Sequence, residues 1–348
     1  IIALVVSSPE TRPMALAWGT MIGAVFQLLL QMIPLIKRLK NYIGFRFEPK
    51  HPGVLLVISI LLPASLSSTV GQINIIITTY FASGLPVGSI SALTYANFLY
   101  QLPLGIMLTA LLVPMLPVLN ESVLLNDNKE VFKKNINKSL RSLIFISVPA
   151  TFILICSGEQ LIQVMLERGA FDKESTLLTY LVLTGYSISL IFYAARDLLV
   201  RAFYALDNAK IPFYSSFISI LLIYVFCLFF IKILHLEAPG IAVSISFVTI
   251  FNMLILSILL RKKIGPWLEN ETIKHLRRVL LATLPVAIFC TGFNYYVDYY
   301  FNIPIFMIFS TLLSIIGIFC IYLLRLLKDE ETILITDKII SRFKKLKK

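Results

Sequence analysis

Polar but uncharged side chains recur at helical spacing in two neighbouring apolar stretches of the chain. The first stretch, 54–81, carries three of them at positions i, i+3 and i+7: Ser65, Ser68 and Gln72. The second stretch, 90–118, repeats this spacing: Thr94, Asn97 and Gln101. Residues at these intervals share one face of an α-helix. The chemistry that hydroxyl and amide groups offer on such a face is hydrogen bonding to other polar groups.

Two interpretations of these polar stripes stay open. Amide and hydroxyl groups often join membrane helices by hydrogen bonds, each worth about 0.6 kcal/mol. Alternatively, the stripes line a hydrated cavity through which a polar head group passes, because an amide that faces lipid is costly. The cavity candidates then include Phe98, which borders the second stripe, whereas Leu104 is expected to point away from it. Pro103 removes a helical hydrogen bond and is the candidate hinge.

Catalytic, metal and cofactor chemistry has little support in this sequence. The three histidines lie far apart, at the ends of apolar stretches or in connections: His51, His235 and His275. The four cysteines fall in different apolar stretches without metal-ligand spacing, and the sequence has no GxxxxGK[ST] phosphate loop. The apolar spans within 54–118 and 212–260 contain no Asp or Glu, so a carboxylate-based proton or cation site has no candidate there. We therefore expect neither an enzyme nor a resident cofactor or metal.

The elements that position the stripes are those of a membrane protein. Hydrophobic residues make up 58% of the chain, charged residues 14%, and the mean hydropathy is +0.86. The apolar runs reach the ~18–25 residues that a helix needs to cross ~30 Å of hydrocarbon, and they lack the alternation of a barrel strand. We predict an all-α fold, a polytopic membrane helical bundle, with nine complete spans: 14–36, 54–81, 90–118, 140–157, 176–200, 212–233, 239–260, 279–301 and 303–327.

Basic residues alternate between the connections of these spans. Five clusters hold 27 of the 31 Lys and Arg residues: 37–50, 129–141, 196–210, 261–278 and 325–348. Arg196 and Arg201 are assigned to the third of these connections. Under the positive-inside rule, the basic connections and the C-terminus are cytoplasmic. The net charge of +12 is thus mostly a matter of orientation, and no nucleic-acid binding is expected.

One region resembles the signature region of the MurJ (MviN) lipid II flippase family. Its sequence is GSISALTYANFLYQLPLGIMLTALLVPMLPVLNES, with a short turn, a Tyr-Ala-x-x-Leu helix, an x-x-Pro-x-Gly kink and a late Pro. Four more segments fall in the family's order: ALAWGTMIGAVFQLLLQ (Ala15–Gln31), LPASLSSTVGQIN (Leu62–Asn74), MLERGAFDKEST (Met165–Thr176) and RAFYALDNAKIPF (Arg201–Phe213). The motifs cover residues from about 11 to 213, and beyond them the resemblance is one of span pattern.

The resemblance implies a fourteen-helix transporter of the multidrug/oligosaccharidyl-lipid/polysaccharide superfamily, in which two lobes surround a central cavity. The chain opens with IIALVV, without Met or a basic leader, so we expect an N-terminally truncated sequence that begins inside the fifth helix. Five segments follow from this alignment: 1–36, the end of the first lobe; 37–53, a cytoplasmic interlobe loop; 54–260, the second lobe; 261–327, a C-terminal helix pair; and 328–348, a basic cytoplasmic tail.

The family resemblance also implies the activity. In this family lipid II, a peptidoglycan precursor on an undecaprenyl pyrophosphate carrier, is turned across the bacterial cytoplasmic (inner) membrane by alternating access during cell wall biogenesis. The expected partners are this lipid-linked substrate and membrane lipids, and a monomer is expected. Three alternatives stay open: a flippase for another polyprenyl-linked oligosaccharide, a cation-coupled drug exporter of the same superfamily, and a membrane-bound glycosyltransferase or polymerase.

The sequence departs from the family pattern on the second polar stripe. Family members commonly carry Arg in a Tyr-Ala-x-Arg-Leu helix, where it lines the cavity and can meet the pyrophosphate, with an acidic residue on either side. Here the three positions are Asn97, Phe98 and Gln101. Phe cannot supply the bidentate phosphate contact that a guanidinium offers. We therefore expect the second lobe to lack a cationic contact, which leaves that contact to the first lobe or implies a changed substrate or mechanism.

Overall fold

The computed structural model describes residues 12–39, 72–124 and 129–300, together with Gly317. The chain divides into two units, Ile1–Ala64 and Ser65–Lys348. The first unit contains helix α1, Arg12–Leu39.

The described part of the second unit is a succession of helices joined by short connections. In chain order they are α2 (72–83), α3 (Ser89–Met107), α4 (Val113–Leu124), α5 (Lys129–Leu166), α6 (Lys173–Ala205), α7 (Lys210–Cys227), α8 (Glu237–Ile264) and α9 (Asn270–Tyr300). A π-helical turn, Leu108–Leu112, joins α3 to α4 without a break, and a second one, Leu228–Ile233, extends α7.

The prediction of an all-α polytopic membrane bundle is confirmed. Within the described residues, five helical stretches are long and apolar enough to cross a membrane: Ser89–Val123, Lys129–Leu166, Lys173–Ala205, Lys210–Ile233 and Glu237–Ile264. The predicted span 303–327 lies outside the described residues, and only the end of 54–81 lies within them. The predicted lobe boundaries stay predictions.

The predicted span 140–157 is only the centre of a much longer helix. Helix α5 has 38 residues, because its polar first turns continue the helix of the apolar core. These turns were not predicted as part of a span, since Lys and Asn residues dominate them. In the structure they pack against the connection between α8 and α9, which gives them a tertiary reason to be helical.

Helix α6 lies at the centre of the bundle and approaches α8 very closely. A Cβ atom added at Gly185 would lie 2.9 Å from the Cβ of Ala242, closer than two carbon atoms can pack. At the same place the Ser246 hydroxyl of α8 donates a hydrogen bond of 2.6 Å to the backbone carbonyl of Gly185. Small residues thus let the two helix backbones approach, as at many membrane helix interfaces.

The start of α6 is set by a side-chain cap. The Asp172 carboxylate accepts a hydrogen bond from the backbone N–H of Ser175 at 2.9 Å, which satisfies a donor that the first helical turn leaves free. This hydrogen bond holds the pKa of the Asp172 carboxyl below its usual range. The Thr176 hydroxyl also donates to Glu167 at 2.9 Å, so the end of α5 and the start of α6 are joined.

The opposite end of the bundle, which carries the basic connections, is held by one buried amide on α5. The Asn137 side chain accepts hydrogen bonds from the backbone N–H of Glu269 (3.0 Å) and the hydroxyl of Thr272 (2.8 Å), and it donates to the carbonyl of Trp267 (2.5 Å). Arg141, one turn further along α5, forms an ion pair with Glu269 at 3.3 Å. Asn137 therefore fastens the α8–α9 connection, and with it α9, to α5.

Replacing Asn137 with Ala should destabilise the protein strongly. The change removes the partners of a backbone N–H, a backbone carbonyl and a hydroxyl, and each buried group left unsatisfied costs about 1–3 kcal/mol. Asn135→Ala, two residues earlier on the same helix, is the matched control and should leave stability nearly unchanged. Thermal unfolding of the purified full-length protein in detergent measures the difference. Equal melting temperatures for the two variants would contradict the anchoring role of Asn137.

Candidate functional site

A cavity of about 670 Å³ lies within the second unit, bounded by α2, α3, α6, α7 and α8. Its volume falls in the range of pockets that hold small ligands or head groups. The lining mixes apolar side chains with hydroxyl, amide and phenol groups. Among the lining residues that the structure describes, Arg196 is the one charged side chain.

The second polar stripe forms the α3 wall of this cavity. Thr94, Asn97 and Gln101 all line it. The Thr94 hydroxyl donates to the carbonyl of Ile90 on its own helix at 2.7 Å, and neither amide side chain hydrogen-bonds to any residue that the structure describes. These groups are thus available to water or to a ligand, which favours the cavity interpretation over a role in joining helices. Their part in transport stays a prediction.

The two residues that flank this stripe, Leu104 and Phe98, differ in whether they line this cavity. Leu104 lines the cavity and is only 6% exposed, so the prediction that it points away from the stripe was wrong. Phe98 is 63% exposed and is absent from the described lining of this cavity, and its predicted place beside the transport cavity stays a prediction. The two residues lie on opposite sides of the stripe around the helix, and the buried face of α3, with Ala96 and Met107, is on the side of Leu104.

The α2 wall uses other residues than those predicted from the first stripe. Asn74 and Thr78, one turn apart, line the cavity, and the side-chain oxygen of Asn74 is buried without a hydrogen-bond partner among the described residues. Gln72 is exposed and is not part of the described lining. Ser65 and Ser68 lie outside the described residues. The unused Asn74 carbonyl is an acceptor that a ligand or water can satisfy.

The α7 and α8 walls are held together by a hydrogen-bonded amide. The Ser215 hydroxyl donates to the side-chain oxygen of Asn252 at 2.7 Å, and the Asn252 amide donates to the Ser219 hydroxyl at 2.6 Å. Ser219 and Asn252 also line the cavity. This pairing fixes α7 against α8 and presents a polar surface opposite the α3 stripe.

The α6 wall carries the aromatic side chains of the site. Tyr186 and Tyr193 line the cavity, and the ring of Tyr186 stacks on that of Tyr100 from α3 with centroids 5.6 Å apart. The hydroxyls of Tyr100 and Ser189 are 2.8 Å apart, and Ser189 already donates its proton to the carbonyl of Tyr186. The Tyr100 hydroxyl is therefore the donor of this pair. The contact joins α3 to α6 beside the cavity.

Arg196 lies elsewhere than its sequence pattern predicted. It was assigned to a basic connection, but it lies inside α6, nine residues before the helix ends at Ala205, and it lines the cavity. A cation thus lines the cavity of the second unit, and whether it contacts a cargo stays a prediction. The signal was present in the sequence, since an Arg followed by Asp197 falls inside the apolar span 176–200, where ionisable residues usually have a function.

Pro103, the candidate hinge, lies inside α3 without ending it. The π-helical turn Leu108–Leu112 follows within two turns, and wider turns of this kind often occur where a helix has a functional irregularity. Both features weaken the helical hydrogen-bond ladder in the part of the helix that lines the cavity. The hinge role stays a prediction.

No cluster of three or more His, Cys, Asp or Glu side chains with metal-binding geometry occurs among the residues that the structure describes. Cys156 and Cys227, the two cysteines with described surroundings, are not disulfide-bonded.

Cysteine labelling tests whether the α3 stripe, rather than its Phe98 flank, contacts water. A thiol must ionise to react, and ionisation needs hydration. In a full-length protein without native cysteines, Gln101→Cys should react with a hydrophilic maleimide at least about tenfold faster than Phe98→Cys. The rates are measured by mass spectrometry of the membrane-embedded protein. Equal rates, or faster labelling at position 98, would place the water-filled surface on the other side of α3.

Comparison with known proteins identifies the family. The family model for lipid II flippase MurJ matches residues 1–312. A probable lipid II flippase MurJ of Synechocystis sp. is 35% identical over 72% of this chain and 46% of its own length, and one of Buchnera aphidicola subsp. Acyrthosiphon pisum is 32% identical over 78% and 53%. The chain thus spans about half the length of the curated relatives it matches.

A solved structure shares the fold. The chain is similar to a structure of lipid II flippase MurJ in an inward closed conformation, with a TM-score of 0.74 and 24% identity over 97% of this chain and 65% of that one. The multi-pass helical architecture, the family model that covers most of the residues and the sequence identity to the curated relatives agree. The chain belongs to the MurJ lipid II flippase family.

Proposed function

We propose that the full-length protein is a lipid II flippase, which turns a peptidoglycan precursor across the bacterial cytoplasmic membrane by alternating access. The observation that carries this proposal is the cavity of about 670 Å³, lined by hydroxyl, amide and phenol groups within an otherwise apolar bundle. Membership in the family and the names of the relatives support the choice of cargo.

The physical problem of flipping is to move a polar head group through hydrocarbon. A polar group that loses its water without a replacement partner costs several kcal/mol in an apolar medium. The amides of Asn97 and Gln101 and the side-chain oxygen of Asn74 have no hydrogen-bond partner among the described residues, and they can replace part of that water. The prenyl tail has no such requirement and can stay in the lipid while the head group crosses in the cavity.

Alternating access requires that the walls of the cavity change their relative tilt. The α6–α8 and α7–α8 contacts are tight or hydrogen-bonded and should move together. The α3 wall differs, because Pro103 removes a backbone donor and the turn Leu108–Leu112 is π-helical. We propose that bending of α3 near these residues opens and closes the cavity.

Replacing Gln101 or Asn97 with Leu should impair flipping while membrane abundance stays roughly unchanged. Each change removes hydrogen bonds to the cargo worth about 0.5–1.5 kcal/mol, so we expect a loss of about two- to tenfold in rate. The matched control is Asn120→Leu, an exposed amide on α4 outside the described lining. Lipid II translocation in cells and protein abundance are measured together.

Two outcomes would contradict the proposed role of these amides. Parallel losses of abundance, thermal stability and activity would mean that they join helices. Normal activity per molecule would mean that the cargo does not contact this wall.

A further prediction concerns orientation. If the basic connections and the C-terminus are cytoplasmic, Gly84→Cys should react with an impermeant thiol reagent added to intact cells, and Asn128→Cys should not. Native cysteines are removed first, and disrupted cells serve as the control for reactivity at both positions. The reverse pattern would mean the opposite orientation.

A further inference from the structure

Arg196 is a charged side chain inside a helix that is long and apolar enough to cross a membrane. It lies nine residues before the end of α6, which is roughly 14 Å along the helix axis. Its side chain is 27% exposed, and it lines the cavity. An ionisable residue inside an apolar span disfavours insertion and usually has a function. Arg196 is therefore a candidate for contact with a ligand.

The protein itself satisfies this guanidinium only in part. The nearest Arg196 nitrogen is 3.7 Å from a carboxylate oxygen of Asp197, too far for a good hydrogen bond. The other Asp197 oxygen accepts from the Nε of Arg201 at 3.3 Å. Two guanidinium groups thus share one carboxylate, which leaves one net positive charge. The Nε of Arg196 is buried without a hydrogen-bond partner in the described structure.

Two neighbours hold the guanidinium in a defined orientation. Its central carbon lies 4.7 Å from the centroid of the Tyr193 ring, a distance at which the plane of the guanidinium is attracted to the ring face. Asp197 attracts it from the adjacent position. An orientation fixed in this way lowers the conformational entropy that binding of a ligand would otherwise cost.

The rest of the cavity favours an anionic ligand. No Asp or Glu occurs among the described lining residues, and the other polar side chains there are neutral amides, hydroxyls and phenols, among them Asn74, Asn97, Gln101, Ser219 and Asn252. The single charge among the described lining residues is thus positive and incompletely paired. Phosphate oxygens match the forked donors of Arg better than a single-atom acceptor does.

We infer that Arg196 contacts the phosphate-bearing part of the cargo, and that Asp197 and Tyr193 hold its guanidinium ready until the cargo enters. The inference rests on the proposed function for the identity of the cargo. It places the cationic contact of this half on α6, on a different wall of the cavity from the α3 stripe. Asp197 then competes with the phosphate for Arg196, so the two residues should have opposite effects on binding.

The experiment measures lipid binding by the purified full-length protein in nanodiscs of neutral lipid. The probes are labelled undecaprenyl pyrophosphate and, as the uncharged comparison, undecaprenol. Arg196→Gln should weaken binding of the pyrophosphate roughly tenfold or more and leave undecaprenol binding unchanged. Arg196→Lys keeps the charge but not the fork and should give an intermediate loss. Asp197→Asn should bind the pyrophosphate as tightly as the unmodified protein or more tightly.

The matched control is Lys262→Gln, which removes one exposed positive charge from the same end of the bundle, away from the described lining. It should bind both probes normally. The melting temperature of each variant identifies any that misfold. If Arg196→Gln unfolds, the other two variants still test the inference. Arg196→Lys should weaken pyrophosphate binding, and Asp197→Asn should strengthen it or leave it unchanged.

Three outcomes would overturn the inference: equal loss of both probes in Arg196→Gln, unchanged pyrophosphate binding in that variant, or an Asp197→Asn loss as large as the Arg196→Gln loss. Lipid II flipping is assayed in parallel. Normal flipping by Arg196→Gln would overturn the role of Arg196 and leave the proposed function intact. Arg196-dependent pyrophosphate binding by a protein that does not flip lipid II would overturn the proposed function and support the phosphate contact.

Discussion

The close approach of α6 and α8 is the constraint on which the cavity depends. Gly185 has no side chain where Ala242 lies against it, and the Ser246 hydroxyl bonds to the Gly185 carbonyl across the interface. From this point the same two helices continue to the residues that form the cavity walls, with Arg196 on α6 and Asn252 on α8. A larger residue at position 185 would separate the helices and change the distance between those walls.

Hydrogen bonds then attach the remaining walls to this pair. Tyr100 and Ser189 join α3 to α6, and Asn252 joins α8 to α7 through Ser215 and Ser219. Both sets of hydrogen bonds are buried, and a buried polar group without a partner would destabilise the fold. Each set therefore also fixes the rotation of a helix about its own axis. The amides of Asn97 and Gln101 remain unbonded to described residues and face the enclosed space. The bundle thus separates structural polar groups from those available to a ligand.

The charge balance of the cavity follows from one ion-pair network. Asp197 lies between Arg196 and Arg201 and can neutralise only one of them. A positive, aromatic-backed α6 wall faces a neutral α3 wall, and this asymmetry distinguishes the cavity from one built on carboxylates. A cavity of this charge is compatible with the anionic cargo that we propose.

The sequence by itself determined the class, the helices and the family. Hydropathy and span length are properties of consecutive residues, and they predicted the membrane bundle. Among the described residues they also predicted the bounds of the spans 14–36, 212–233 and 239–260 to within about four residues. The spacing of Thr94, Asn97 and Gln101 also placed these residues on one helix face, because helical periodicity is local.

Only the tertiary structure decided which side of that face turns inward. Leu104 lines the cavity and Phe98 does not, because the buried side of α3 packs against α6. The tertiary structure also decided that Asn74, and not Gln72, is in the described cavity lining. It likewise decided that Arg196 lies in a helix and not in a connection, because α6 extends to Ala205. Rotation about a helix axis and depth in a bundle are set by contacts between residues far apart in sequence, which periodicity within one segment does not contain.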